Sequence, residues 1–161
     1  MAIIHVKSQA ELDSIPFNSG NNVLIEFGTQ NKPAEINIEC ASPMIVTGNN
    51  YVLVQAKNNH IIAEDNCTIE AYNNTVVDAL KTSTVIALDN TIVTAKNHSR
   101  IIAKDNSTVM AKDHSRVIAR DISGVILNDQ SHIELHDAAQ IIGDSRGSTI
   151  NAPNPELERG I

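Results

Sequence analysis

Aromatic side chains make up 2% of the 161 residues, and tryptophan is absent. A globular core of this length normally uses more aromatic mass, so the apolar surface must be buried in a thinner shape. Glycine is sparse, at 7 residues, which argues against the glycine-rich nine-residue motif that binds Ca²⁺ in some solenoids. Two cysteines, Cys40 and Cys67, are too few for a disulfide framework. No apolar run approaches the ~18 residues of a membrane span, and the first residues lack the basic and apolar regions of a signal peptide. A reducing, cytoplasmic setting fits these absences. Positive charge is in deficit as well. The 12 Lys and Arg stand against 19 Asp and Glu, a formal net charge of −7. Nonspecific attraction to nucleic acid or to an anionic membrane is therefore not expected.

What is present is one eight-residue phrase, repeated from about Val54 to Ser148. From Val93 it reads VTAKNHSR, IIAKDNST, VMAKDHSR, VIARDISG, VILNDQSH, IELHDAAQ. A branched aliphatic stands first, a small residue third, Asp or Asn fifth, and Ser or Thr seventh. A short fixed period takes precedence over other readings of fold. This one does not fit a 3.6-residue helix; it fits a short strand followed by a turn. Strand alternation puts positions one and three inward and positions two and four outward. The frame slips once, where Ala56 to Ala63 is seven residues.

The deeper period is sixteen. Val93–Thr108 and Val109–Gly124 agree at ten of sixteen positions, whereas a shift of eight or of twenty-four leaves three of eight. Two octads thus form one coil of strand, turn, strand and turn. The expected fold is all-β: a flat two-sheeted β-solenoid (β-helix) of about six 16-residue coils over residues 51–148. Residues 1–50 read as an N-terminal cap for the open end of the stack. Within them Ala2–Val6, Asn22–Phe27, Glu35–Glu39 and Met44–Val46 read as strands. Ser8 and Glu11 have capping-box spacing, which predicts a short helix to about Ser14. Residues 149–161 read as a loose tail or a short closing strap.

Three rows of side chains are candidates for function. The fifth-position row, which includes Asn97, Asp105, Asp113, Asp121 and Asp129, reads as turn chemistry. Cys67 stands in the seventh-position hydroxyl row and reads as an inert inward thiol. The sixteen-residue period places Lys96, His98, Arg100, Lys112, His114 and Arg116 on one long edge as an anion-binding ladder, with His98 near His114. The same period puts Ile86, Ile102 and Ile118 in one outward row, flanked by Leu88 and ended by Glu70 and Glu134. Such a stacked apolar row predicts an interface, and a homodimer about a twofold axis is the simplest way to cover it. No nucleophile, metal set or cofactor motif stands out. The chain reads as no enzyme, with neither metal nor cofactor.

The segments AKDNSTVM and AKDHSRVI resemble the tandem repeats of bacterial ice-nucleation proteins, whose expected architecture is a flat two-sheeted β-solenoid. The octads, with the lead Ile4 to Leu12, are also similar to uncharacterised repeat proteins of bacterial and phage genomes. These resemblances imply the solenoid fold and, from the first, ice binding. The residues themselves imply a non-catalytic interaction scaffold that self-associates and docks a protein partner. The alternative is an inhibitor of a nucleic-acid-handling or host-defence protein by surface mimicry.

Overall fold

The computed structural model describes residues 3–16, 21–37, 39–40, 42–55, 57–143 and 147–152. In chain order the strands are β1 (Ile3–Val6), β2 (Asn22–Ile25), β3 (Ala34–Ile36), β4 (Met44–Val46), β5 (Tyr51–Val54), β6 (His60–Ala63), β7 (Thr68–Ala71) and β8 (Val76–Ala79). They continue as β9 (Thr84–Ala87), β10 (Ile92–Ala95), β11 (Arg100–Ala103), β12 (Thr108–Ala111), β13 (Arg116–Ala119), β14 (Gly124–Leu127), β15 (His132–Leu135), β16 (Gln140–Ile141) and β17 (Thr149–Asn151). One helix, α1 (Gln9–Asp13), lies between β1 and β2. The first sheet is ordered β1-β2-β4-β6-β8-β10-β12-β14-β16, the second β17-β15-β13-β11-β9-β7-β5-β3. All named pairings are parallel. The chain is therefore an all-β, two-sheeted β-solenoid with one short helix.

The octad explains the packing. First and third positions such as Val93, Ala95, Ile101, Ala103, Val109 and Ala111 are buried. Alanine in the third row lets the two sheets approach closely, so a thin core is filled without aromatics. The seventh-position hydroxyls, from Thr75 to Ser131, are buried at the turns. Cys67 shares that row and is buried, and burial is the first cause pushing its thiol up to about 12.

The coil count differs from the sequence reading. The rod has about nine turns, not about six, because β1 to β4 stack in the same two sheets as the octads. From β6 to β16 neighbouring strands are offset by 16 residues, as in His60 beside Val76. Toward the N-terminus the offset grows. Met44 sits beside Ile61, Ala34 beside Val52, Val23 beside Met44 and Ile3 beside Asn22, offsets of 17, 18, 21 and 19 residues. Longer turns destroy the sequence period while leaving the strand stack intact. The slip near Ala56 is also an insertion rather than a deletion. Val52 and Val54 are the inward pair of β5, so Val54 is a third and not a first position. Ala56 itself, like Ala2, lies outside the described residues.

Helix α1 forms where the capping-box spacing predicts it, with the reciprocal bond made one residue before the N-cap. Ser8 Oγ accepts from the Glu11 N–H at 3.3 Å, and the Glu11 carboxylate accepts from the Lys7 N–H at 2.7 Å. Leu12 is buried, and the helix packs on β3, the edge strand of the second sheet. Between β2 and β3, Gly28 adopts φ +109°, and a Cβ there would lie 2.3 Å from the Tyr51 carbonyl oxygen. Only glycine allows that approach.

Candidate interaction face

The turns consume most of the acidic residues of the repeat. The fifth-position residues, from Asn58 to Asp137, all have φ between 54° and 59°. This left-handed region is the one that Asn and Asp enter most readily after Gly. Each side chain then reaches one coil back. Asp113 Oδ2 accepts from the Asn97 N–H at 2.8 Å, Asp105 Oδ2 from the Asp89 N–H at 3.1 Å, and Asp129 Oδ2 from the Asp113 N–H at 3.3 Å. The row is a ladder that ties neighbouring coils together. Asn58 and Asn73 reach back as donors, through Nδ2 to Glu39 Oε1 and Gln55 O, and Lys81, at φ 55°, has no side-chain acceptor at all. Its Nζ donates instead to Asp65 Oδ1 at 2.8 Å and Glu64 Oε2 at 3.2 Å. The hydrogen bond from Lys81 is the first cause holding the Asp65 carboxyl below its usual range.

The edge ladder is assembled as the sixteen-residue period predicts. The His98 and His114 rings stack, with centroids 5.4 Å apart and planes 12° from parallel. Arg100 stands in register with Arg116 on β11 and β13. Lys96 and Lys112 occupy equivalent places, their N–H groups bonded to Ala79 O and Ala95 O at 2.9 Å. The ladder wraps around the edge, since Lys96 and Lys112 follow strands of the first sheet and Arg100 and Arg116 open strands of the second. Among the described residues none of these four cations is in an ion pair. Asp113 and Asp129, the nearest acids on that edge, are occupied by backbone N–H groups.

The second sheet carries the apolar stripe. Ile86, Ile102 and Ile118 are register partners on β9, β11 and β13, all half-buried. The glutamates at its ends are held by neighbours. Glu70 Oε2 accepts from Tyr51 Oη at 2.9 Å and Glu70 Oε1 from Tyr72 Oη. Tyr72 is pushed up to about 12, first by its hydrogen bond to Glu70 and then by burial. Tyr51 is raised as well, by burial first. At the other end Glu134 Oε1 lies 2.7 Å from His136 Nε2.

The stripe is bordered by cations on both sides. On one side are Arg100 and Arg116, the residues just before the inward first positions. On the other the ladder of backbone bonds continues past the strand ends, with Leu88 N to Ala71 O at 3.0 Å and Lys104 N to Ala87 O and Arg120 N to Ala103 O at 2.9 Å. Alternation sets Leu88, Lys104 and Arg120 on the outer face, beside the isoleucines. A shallow depression there is lined by Arg100, Arg116, Val117, Ile118, His132 and Glu134. Sequence reasoning placed Arg100 and Arg116 but missed Lys104 and Arg120. Their signal was present: they are sixteen residues apart, at the fourth positions of adjoining coils. It also missed Val76 and Ile92, register partners on the first sheet that are 37% and 52% exposed.

Among the described residues no helix is long and apolar enough to cross a membrane, and no group of three His, Cys, Asp or Glu is placed to hold a metal ion. No protein-family model matches the chain, and neither does any curated protein or solved structure.

Proposed function

We propose that the protein is a non-catalytic scaffold that docks a protein partner on the outer face of its second sheet. The observation that carries this reading is the stripe of Ile86, Ile102 and Ile118, consecutive and in register on a flat parallel sheet. Full burial of an isoleucine stabilises by roughly 1.5–3 kcal/mol. These three are already largely covered within the chain, so a partner gains at most about a third of that from each before association costs. The acidic groups of the repeat support the same reading, because the turn ladder uses their oxygens to hold the rod together.

A second copy of the chain, the partner expected from the sequence, competes for this face. A twofold along the rod that lays the stripe on itself would set Arg100 against Lys104 of the other copy. A twofold across the rod through Ile102 would set Arg100 against Arg100. Like charges so placed disfavour self-association. Sedimentation velocity of the wild type and of Ile102→Lys at high micromolar concentration separates the two. A wild-type monomer leaves the face to a different protein. A dimer dispersed by Ile102→Lys assigns it to the second copy. A dimer unchanged by Ile102→Lys overturns the stripe as the self-association site.

A further inference from the structure

We propose that the partner presents an acidic amphipathic helix, which lies along the rod with its apolar side on the isoleucine stripe and carboxylates on both flanks. This rests on the docking reading above and adds the chemistry of the occupant. Six of the chain's 12 Lys and Arg fall between residues 96 and 120: Lys96, Arg100, Lys104, Lys112, Arg116 and Arg120. Four of them frame the stripe. Arg100 and Arg116 stand on one side, Lys104 and Arg120 on the other, and none is in an ion pair among the described residues. The rest of the molecule is acidic enough to bring the formal charge to −7. A negatively charged partner is therefore drawn to this face and repelled elsewhere, which orients it on approach.

The dimensions select a helix. Outward residues two apart along a strand are separated by ~6.6 Å, so the two cation rows lie ~13 Å apart. A helix with its side chains is about 10–12 Å across. Along the rod, coils repeat every ~4.8 Å. A helix presents one apolar residue per turn of about 5.4 Å. From Ile86 to Ile118, two coil steps, the mismatch is ~1 Å, which side-chain rotation absorbs. Leu88 widens the apolar floor at the first of these coils. A nucleic acid would lay phosphates over three isoleucines, and the two tyrosines at the Glu70 end are tied by their hydroxyls to that carboxylate rather than set out as a stacking row. An anionic membrane would need the isoleucines to protrude, whereas they are half-buried and the flanking Arg100, Arg116 and Arg120 are the exposed side chains.

The test uses the full chain and a fluorescent synthetic helix of about 18 residues, long enough to form turns in solution. It carries Leu at i, i+4, i+7 and i+11 and Glu on both neighbouring rows. A second peptide replaces Leu by Ser at equal charge. Binding is read by anisotropy. The Leu/Glu helix is expected to bind, with affinity falling as salt rises. The Ser/Glu peptide and the R116E/R120E double variant should each be weaker by about tenfold or more. Circular dichroism of the variant confirms that it is folded. Equal binding of the two peptides, undiminished binding to R116E/R120E, or no binding of the Leu/Glu helix at all overturns the proposal. So does tighter binding of a single-stranded oligonucleotide or of vesicles containing phosphatidylserine. If the helix fails but sedimentation finds a dimer sensitive to Ile102→Lys, only the identity of the occupant is wrong. If both fail, the docking reading falls with it.

Discussion

The side-chain amide of Gln9 takes the place of a missing strand beside Glu35. Its Nε2 donates to the Glu35 carbonyl at 2.7 Å, and its Oε1 accepts from the Glu35 N–H at 2.9 Å. Glu35 lies in the middle of β3, the last strand of the second sheet at the N-terminal end. An open parallel edge is a template for another chain, and here one residue of a five-residue helix satisfies both of its central groups.

Gln9→Ala should therefore act in two ways. Loss of the two bonds should cost about 1 kcal/mol, read from the midpoint of urea unfolding. The exposed edge should also make association depend on concentration. A variant that sediments as the wild type does at every concentration would show that something other than Gln9 guards the edge.

Lys81 is the one fifth-position residue of the octads that is neither Asp nor Asn. At φ 55° it bears the steric penalty of the left-handed region, and it offers no oxygen to the Asp65 N–H. Lys81→Asn relieves both and gives up only two exposed ion pairs, to Asp65 and Glu64. The thermal midpoint should rise by about 2 °C. The substitution should also flatten the acid arm of the stability curve. Asp65 is held below its unfolded value, so its contribution is present above that value and is lost as pH falls through the folded one. Without Lys81 most of this dependence goes.

The only two tyrosines in the chain, Tyr51 and Tyr72, share one carboxylate, and tryptophan is absent. Phenolate absorbance thus reports this cluster with no background. The native chain should ionise above the ordinary value of 10, with Tyr72 near 12. Glu70→Gln should bring both midpoints down. The sign for stability follows. The folded state holds the phenol protons more tightly, so the contribution is complete below the unfolded value and is lost as pH rises from there toward 12. Native midpoints indifferent to Glu70→Gln would remove the clamp.

Two serines in equivalent turn positions should respond differently to alanine. Ser123 Oγ donates to the Arg120 carbonyl at 2.7 Å, whereas Ser99 Oγ is buried without a partner among the described residues. Ser123→Ala should cost about 1 kcal/mol, and Ser99→Ala should be neutral or stabilising by up to ~1 kcal/mol. Chemical denaturation of the two variants side by side decides it.

The repeat was legible because every octad solves the same local problem. One left-handed residue must end each strand, and Asp and Asn do that visibly. The first coils were illegible as coils because their turns vary. Val23 and Met44 are offset by 21 residues, yet the two strands pair as β12 and β14 do. Periodicity reports turn length as much as strand stacking, and a solenoid needs only the second. The stripe and the edge ladder were legible as neighbours in register. The second cation row was not, because Lys104 and Arg120 follow the last residue of their strands, and alternation marks them as outward without showing that they border the isoleucine stripe. The clamp on Glu70 was beyond reach, since Tyr51 approaches it through a 17-residue offset that the octad frame does not contain.

The turn ladder has a direction. Each carboxylate rung accepts a hydrogen bond from the coil before it, so the backbone N–H of Asn97 waits for Asp113, and that of Asp113 for Asp129. On the ribosome the earlier coil always exists first. Synthesis at about 5–20 residues per second delivers a new coil every one to three seconds, while a hairpin-sized element forms in microseconds. Each arriving coil meets a finished surface and closes the rung left open by its predecessor. The order of assembly is then dictated by translation rather than by search, with Gln9 sealing the first-made end.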